Sequence, residues 1–476
     1  MLNVNRNADR AIWQQLLDQA IENITSGKWR PGDQLIPSRE LAQQLGVSRS
    51  TVQIVYEELL SRGYIVTSRR GGTRVSDWNH SCPPQAYKAS YGPLPPASPL
   101  LDTSMDRLHE WFSGKAQEDI DIDFCPHEPY LDLQFQKIWR QSFLHASAMA
   151  DLSSWTYGDA FGYLPLRQQI QRYLSMERGV HIQPNQILLT SGAQHSLDLI
   201  AQALLSEGDT IAVEDPGFPV SWMTMNYRRM NAVPVPVDES GLVVDSVPSD
   251  SRLVFVTPSH QCASGVILSA QRRQQLIQKA IQANAWIIED DYDSEFRYRG
   301  DPLPTLFSQA PHHTLYLMSF SKMIAPGIRI SAIVGSVEAI ARLASVLALT
   351  YRHLPIMEQL TLTHFISHGH FTRHMRRTRN VYRRRHEAMM KAIGASGLRA
   401  HFHVKGVETG LHILLEAKET FAEEEMTLKA LQRGVRVYPL RPYCLESKRK
   451  GWVLGFAKVD EDSIAQGITR LAELLQ

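Results

Sequence analysis

The sequence predicts an α/β protein that carries a separate, mainly helical N-terminal module. Three observations predict it. From about Ile120 onward, short apolar runs alternate with amphipathic helical segments, the pattern of a mostly parallel sheet covered on both faces. Before Ser76 the chain reads as helices, a glycine turn and two short strands. Between the two lies "CPPQAYKASYGPLPPASP", Cys82–Pro99. Its six prolines in eighteen residues sustain neither a helix nor a central strand. The expected division is a module of residues 1–76, a semi-rigid linker of 77–119, and a unit of 120–476 that ends in a smaller α+β part. A charged helical run at about Arg107–Gly114 continues the linker.

A chain of 476 residues implies two or three domains. With 43% hydrophobic and 21% charged residues it has ample material for a core. The net charge of +1 excludes a molecule-wide attraction to polyanions, so any such surface is local. Cys82, Cys125, Cys262 and Cys444 are scattered without a CxxC pair, which points to a reducing compartment and to no zinc site. The start, MLNVNRNADR, has no apolar run and reads as no signal peptide. No 18-residue apolar stretch predicts a membrane span. The expected location is the cytoplasm.

In the N-terminal module, Ala11–Gly27 is an amphipathic helix with Ile12, Leu16, Ile21 and Ile24 on one side. In "PSRELAQQLGVSRSTVQIVYEELLSRGY", Ser38 is the expected N-cap of a second helix with Leu41, Ala42 and Leu45 inward. Gly46 makes the turn. Ser48 caps a third helix with Val52, Val55, Tyr56 and Leu59 inward. This is helix-turn-helix spacing. It leaves Arg49, Ser50, Thr51 and Gln53 at the exposed start of a recognition helix. "GYIVTSRRGGTRVS" then reads as two strands around Arg69, Arg70, Gly71 and Gly72, a wing whose glycines let backbone approach a groove. Taken singly, these arginines are ordinary solvated charges. Their order resembles the winged helix-turn-helix of GntR-type regulators over residues 8–76. The resemblance implies that Ser38, Arg39, Ser48, Arg49, Thr51, Arg70, Gly72 and Thr73 touch double-stranded DNA. Ten Lys/Arg against seven Asp/Glu in residues 1–76 make one copy a weak binder, so a dimer is expected.

In the large unit, "NQILLTSGAQHSLDLIAQALLSEGDTIAVEDPGF" gives a strand at Ile187–Thr190, a helix at about Gln194–Leu205 and a strand at Thr210–Glu214. "SRLVFVTPSH", "AWIIEDDY" and "HTLYLMSFSK" give further strands, with a helix at Ala270–Gln282. In such sheets ligands sit beyond the carboxyl ends of the strands. Ser191, Phe218, His260, Asp290, Tyr292 and Lys322 all fall there.

A lysine at a strand end is a solvated group, a phosphate contact or an imine-forming amine. A pyridoxal phosphate site needs five further parts, and each has a candidate. Ser191, Gly192, Ala193 and Gln194 begin a helix whose free N–H groups favour phosphate. Ser319, Ser321 and Arg329 add hydroxyls and a forked cation. Asp290 is placed to keep a pyridine nitrogen protonated. Tyr292 reaches for the ring oxygen, and Phe218 offers a stacking face. Singly, Phe218 reads as core, Asp290-Asp291 as a surface edge or metal pair, and "TSGAQHS" as a small-residue turn.

Their order resembles the class I branch of fold-type I aminotransferases over about residues 120–476. The resemblance implies Lys322 as the internal aldimine lysine, Asp290 at the ring nitrogen and Tyr292 at the ring hydroxyl. Gly192, Ala193, Gln194, Ser319, Ser321 and Arg329 would hold phosphate. "WTYGDAFGYLPLR" resembles the segment whose tyrosine, here Tyr157, reaches the neighbouring subunit's phosphate. The whole plan resembles the MocR subfamily of GntR regulators, in "EDDYDSEFRY", "TPSHQ", "SFSK" and "RHMRRTRNVYRRR". It implies a head-to-tail homodimer that responds to pyridoxal 5'-phosphate, alone or with a small amino-containing effector.

The departures bear on activity. "CASG" puts Cys262 where those enzymes carry an asparagine, leaving His260 or Gln261 as substitutes. "GWVLGFAKV" has Val453 and Leu454 where they carry the carboxylate-binding arginine, so Arg441 in "YPLRPY" is the candidate for an effector carboxylate. The alternative reading is a working aminotransferase with an accessory DNA-binding module. The basic helix Arg373–Arg385 reads either as a DNA or wing contact or as an ion-pair face. His401 and His403 have no accompanying carboxylate or cysteine pattern and read as structural.

Overall fold

The computed structural model describes residues 2–6, 10–68, 72–77, 120–298 and 304–475. The predicted linker segments 82–99 and 107–114, and Arg69, Arg70 and Gly71 of the wing, lie outside the described residues. The chain divides into two compact units, Met1–Ala97 and Ser98–Gln476.

The first unit has helices Ile12–Thr25, Ser38–Leu45 and Arg49–Ser61, then strands Ile65–Ser68 and Gly72–Val75. The strands pair antiparallel from Ile65↔Val75 to Ser68↔Gly72. Leu16, Ile24, Leu41, Ala42, Val52, Val55 and Leu59 close one core with Ile65 and Val75. Ile12, Ile21, Leu45 and Tyr56 pack at its edge. Gly46 ends the second helix in the left-handed region at φ 63°, where a side chain would be strained. Ser48 caps the third helix by accepting from the Thr51 N–H at 3.1 Å. The N-cap expected at Ser38 is corrected. Pro37 holds the half-in position, its carbonyl accepting from Leu41, and Ser38 is the first helical residue with no capping bond. The proline ring fixes φ at a value compatible with extended backbone, which moves the boundary back by one.

The second unit is built on an eight-stranded sheet. In spatial order its strands are Ile187–Thr190, Ser331–Val334, Thr314–Ser319, Trp286–Asp291, Leu253–Val256, Thr210–Asp215, Asn231–Asp238 and Gly241–Leu242. The pairings through the middle are parallel. Ser331–Val334 runs antiparallel to both neighbours, and Gly241–Leu242 returns as a hairpin. The central strands are buried on both faces, which is why they read as unbroken apolar runs. The C-terminal part is a four-stranded antiparallel sheet ordered Phe402–Lys405, His412–Ala417, Gly451–Gly455, Tyr438–Pro439. It carries helices Glu423–Gln432 and Glu461–Glu473 and packs with the long helix His370–Ala395. Among the described residues no helix is long and apolar enough to cross a membrane.

Candidate functional site

In the first unit, Arg39, Ser48, Arg49 and Gly72 are exposed, and Ser38, Thr51 and Thr73 are half-buried. The Ser48 hydroxyl lies 2.8 Å from that of Ser50 and 2.7 Å from that of Thr51, so the start of the third helix is a fixed cluster of hydroxyls beside Arg49. Gly72 adopts φ 69°, and a Cβ there would come 3.2 Å from Gln34 Nε2. Glycine therefore lets the second wing strand start against that side chain. Arg70 lies outside the described residues.

In the second unit, five strand ends converge. Lys322 follows strand Thr314–Ser319, half-buried, with its Nζ donating to the His127 carbonyl. Burial lowers its pKa, opposed by Cys125, Asp293, Cys262 and Glu128. An ammonium that is costly to keep charged is closer to the neutral amine that attacks a carbonyl. Asp290 is the penultimate residue of the adjacent parallel strand and is 6% exposed. Its Oδ1 is buried with no hydrogen-bond partner. Such an orphaned acceptor costs stability unless a donor reaches it, and a ring N–H is such a donor.

The anion end is built from backbone. Helix Ala193–Leu204 starts at Gly192, φ 90°, with no side-chain cap. A Cβ on Gly192 would lie 2.5 Å from the Arg329 guanidinium, which donates to the Ser191 carbonyl at 2.8 Å. At φ 90° glycine is the residue suited to this position, and its lack of a Cβ leaves room for the Arg329 guanidinium beside the helix start. Ala193 and Gln194 lie half-buried in the first turn. Ser319, buried, accepts from the Ser321 N–H at 3.2 Å, fixing the turn that leads to Lys322. Phe218 and Tyr292 pack in one cluster with Cys262, Ala263 and Tyr443. These residues fit pyridoxal phosphate: an amine, a partnerless carboxylate oxygen, an aromatic wall and an open helix start with a forked cation.

Four side chains that the sequence did not single out, those of His127, Asp293, His412 and Tyr443, complete the pocket. Tyr292 donates to the His260 carbonyl at 3.0 Å and lies 3.2 Å from His260 Nδ1. Asp293, 1% exposed, holds the same nitrogen at 2.8 Å. The imidazole sits where a Cβ on Gly410 would fall 2.0 Å from Cε1 and one on Gly265 would fall 2.7 Å from Nε2. Two glycines thus make the seat of one ring, and Asp293 sets its tautomer. His412 lies with its ring 4.6 Å from that of His260, and ligand atoms of His260, Asp293 and His412 come within 4.8 Å of one another. Finally, the Tyr443 hydroxyl meets His127 Nε2 at 2.9 Å, on the residue whose carbonyl takes Lys322.

Two expected contacts stand apart from this group. The Tyr157 side chain is 79% exposed beneath the Arg352 guanidinium. The Arg441 side chain is 70% exposed, 3.8 Å from Glu424, in a cleft of about 620 Å³ shared with Lys448 and Lys450. Its loop is tied to the Phe218 turn. The Gly217 N–H donates to the Tyr443 carbonyl at 2.8 Å, and Asp215 accepts from the N–H groups of Leu445, Glu446 and Ser447. In the basic helix, Arg377 meets Asp132, Arg379 meets the Glu295 carbonyl, Arg384 meets Glu461 and Arg385 is buried, while Arg376 and Arg383 are exposed.

Asp290 also gives the pocket a pH signature. Its pKa is pushed up to about 7, first by burial and then by Asp291, Asp293 and Glu214, with Lys322 opposing. Because the folded value exceeds the unfolded one, the folded state binds the extra proton between about pH 4 and about pH 7, and stability falls as pH rises through that window. Asp290→Asn therefore raises the melting temperature of the cofactor-free protein at about pH 8 and raises it clearly less near pH 5, where only part of that window has been crossed. Calorimetry at both values checks this; an equal rise at both would refute the charge argument.

A large sheet that gathers an amine, a carboxylate and an anion cradle at its strand ends, in a chain that also carries a winged helix-turn-helix, defines a DNA-binding regulator with an aminotransferase-like domain. The family described as "Aminotransferase class I and II" matches residues 130–471, and "Bacterial regulatory proteins, gntR family" matches residues 13–75. The chain is 32% identical to the uncharacterized HTH-type transcriptional regulator YdeL of Bacillus subtilis, over 98% of this chain and 97% of that one. It is 29% identical to the probable rhizopine catabolism regulatory protein MocR of Rhizobium meliloti, over 99% and 95%. Among solved structures it resembles the kynurenine aminotransferase of Pyrococcus horikoshii, with TM-score 0.70 and 25% identity over 80% of this chain and 95% of that one. The chain belongs to the MocR subfamily of GntR-type transcriptional regulators. It is a transcription regulator whose second domain is aminotransferase-like.

Proposed function

We propose that this regulator binds promoter DNA in the cytoplasm as a head-to-tail homodimer. Its large unit takes up pyridoxal 5'-phosphate at Lys322, alone or with an amino-containing effector. The observation that carries the reading is the partnerless Asp290 oxygen in the pocket of a half-buried lysine, with the Gly192–Arg329 cradle at the neighbouring strand end. When bound, the cofactor supplies an aldehyde for an amine and an electron-poor ring. The protein's part is to hold it. Asp290 receives the ring N–H, Tyr292, backed by His260 and Asp293, faces the ring hydroxyl, and Phe218 covers the ring. Ser319, Ser321, Gly192, Ala193, Gln194 and Arg329 bind phosphate. Arg441, on the loop tied to the Phe218 turn, is the guanidinium proposed for an effector carboxylate. Dimerisation is supported by Leu144, Met149, Leu152, Trp155 and Tyr157, large apolar groups left exposed in one short stretch. Tyr157 then faces the second subunit's phosphate. An effector amine that competes for the lysine-held aldehyde shifts the dimer between states that present its DNA modules differently.

The test is a footprint on the chain's own upstream DNA with and without cofactor and candidate amines. Protection that depends on the ligand is expected; no specific protection in any ligand state would refute the proposal. Turnover of an amino donor is expected to stay far below about 1 per second, the lower range of ordinary enzymes. In the same assay Arg49→Ala weakens DNA binding by about 1–3 kcal/mol and leaves cofactor uptake unchanged.

A further inference from the structure

Residues 2–6 are held against the first unit by paired hydrogen bonds. Leu2 is buried in that unit's core, and Val4 packs at its edge. The Asn3 N–H donates to Gln19 Oε1, and Gln19 Nε2 donates back to the Asn3 carbonyl, both at 2.8 Å. One helix turn away the pattern repeats. The Asn5 N–H donates to Gln15 Oε1 at 3.1 Å, and Gln15 Nε2 donates to the Asn5 carbonyl at 3.0 Å. Gln15 and Gln19 are i,i+4 neighbours on helix Ile12–Thr25 and share a face. The arm therefore runs antiparallel to that face, with its backbone groups paired to the two amides.

The arm ends on the turn of the helix-turn-helix. Arg6 Nη2 donates to the Gly46 carbonyl at 2.8 Å. A Cβ on Gly46 would come 3.5 Å from the same nitrogen, so the guanidinium lies against the turn itself. Gly46 terminates helix Ser38–Leu45, whose last carbonyls carry partial negative charge. That helix end alone repels a phosphate; a guanidinium set on it reverses the sign of the local field. Ser48, the cap of the third helix, is two residues on, at most about 7 Å of chain. Arg6, Gly46, Ser48, Arg49 and Ser50 are all exposed. Among the described residues no carboxylate pairs with Arg6, whereas Arg10 pairs with Asp18 and Arg62 with Glu58. A guanidinium carries its donors in a fork suited to phosphate, and here one of them fixes its place.

We propose that Arg6 is a DNA-phosphate contact, and that the N-terminal arm is a brace that sets its guanidinium beside the start of the recognition helix. The inference rests on the reading of the first unit as a DNA-binding module. A phosphate contact of this kind positions the module without reading sequence. It weighs heavily in a module with only ten Lys/Arg against seven Asp/Glu. The competing role is a structural tie from arm to turn. The two separate cleanly, because a bond to the Gly46 carbonyl needs an N–H, whereas attraction to a phosphate needs the charge.

The test is a salt titration of the full chain binding its own upstream DNA and an unrelated duplex of equal length. Arg6→Gln keeps an amide donor and drops the charge, and it weakens binding about equally on both duplexes. Its slope of log affinity against log salt is shallower than the wild type's by about 0.9 for each bound copy. The wild-type advantage therefore shrinks about threefold per copy between about 50 and about 200 mM salt. Arg6→Lys retains the wild-type slope. Arg62→Gln retains it too, since that cation sits at the far end of helix Arg49–Ser61, held by Glu58. Weaker binding by Arg6→Gln at an unchanged slope would reduce Arg6 to a structural tie. That result, wild-type binding by Arg6→Gln, or an equal loss of slope in Arg62→Gln would each overturn the proposal and leave the DNA-binding reading in place. A wild type that binds neither duplex would overturn both.

Discussion

Lys322→Ala abolishes the visible absorbance that pyridoxal phosphate acquires on binding this protein, and the folded unit survives the change. The loss is complete because no other amine takes the place: Lys322 follows the strand next to Asp290, with its Nζ on the His127 carbonyl. Removing it leaves that carbonyl short of one donor, about 1 kcal/mol, against a unit with an extensive core. Lys322→Arg separates attachment from charge. A guanidinium stays protonated, so it keeps a cation near Asp290 and still cannot take the aldehyde. Both variants are expected to lose the absorbance, and promoter protection in both becomes indifferent to cofactor. A wild-type spectrum in either variant would remove Lys322 from its role, whatever happened to DNA binding.

The parts that sequence reveals are those held by one strand and its next turn. Asp290 and Tyr292 sit at the end of "WIIEDDY", and Lys322 three residues past "TLYLMS". There an apolar run that stops at a polar residue marks both the strand end and the site. Gly192 was legible because a glycine between a buried strand and an amphipathic helix has one economical use, a turn at positive φ. What sequence hides is pairing across the chain. His127 and Tyr443 are 316 residues apart, yet they support the same lysine. His412 opens an apolar, buried strand, where a histidine reads as core. Asp293 reads as one more acid in "EDDYDSEF" until the seat made by Gly265 and Gly410 shows which ring it faces. The one-residue error at Ser38 has a local cause, since serine and proline side by side both suit a helix start.

The second large effect falls on the other unit. Leu59 is fully buried at the junction of the three helices and the wing, with Leu16, Val52, Val55 and Ile65 in the same core. Leu59→Ala removes most of a side chain that has no room to be replaced, at about 2–5 kcal/mol. A module this small buries a limited fraction of its surface and holds only a few kcal/mol in reserve. The expected result is loss of promoter binding, together with loss of the module's own melting transition. Leu60→Ala, at the next residue, is the control: that side chain is 45% exposed, and its removal costs under about 0.5 kcal/mol. Cofactor uptake serves as the internal standard, because the chain forms two compact units and Lys322 belongs to the second. Retained absorbance with lost DNA binding shows that the module folds on its own core. Loss of both in Leu59→Ala would mean that the units fold as one, and the regulator's two functions would then share a single stability.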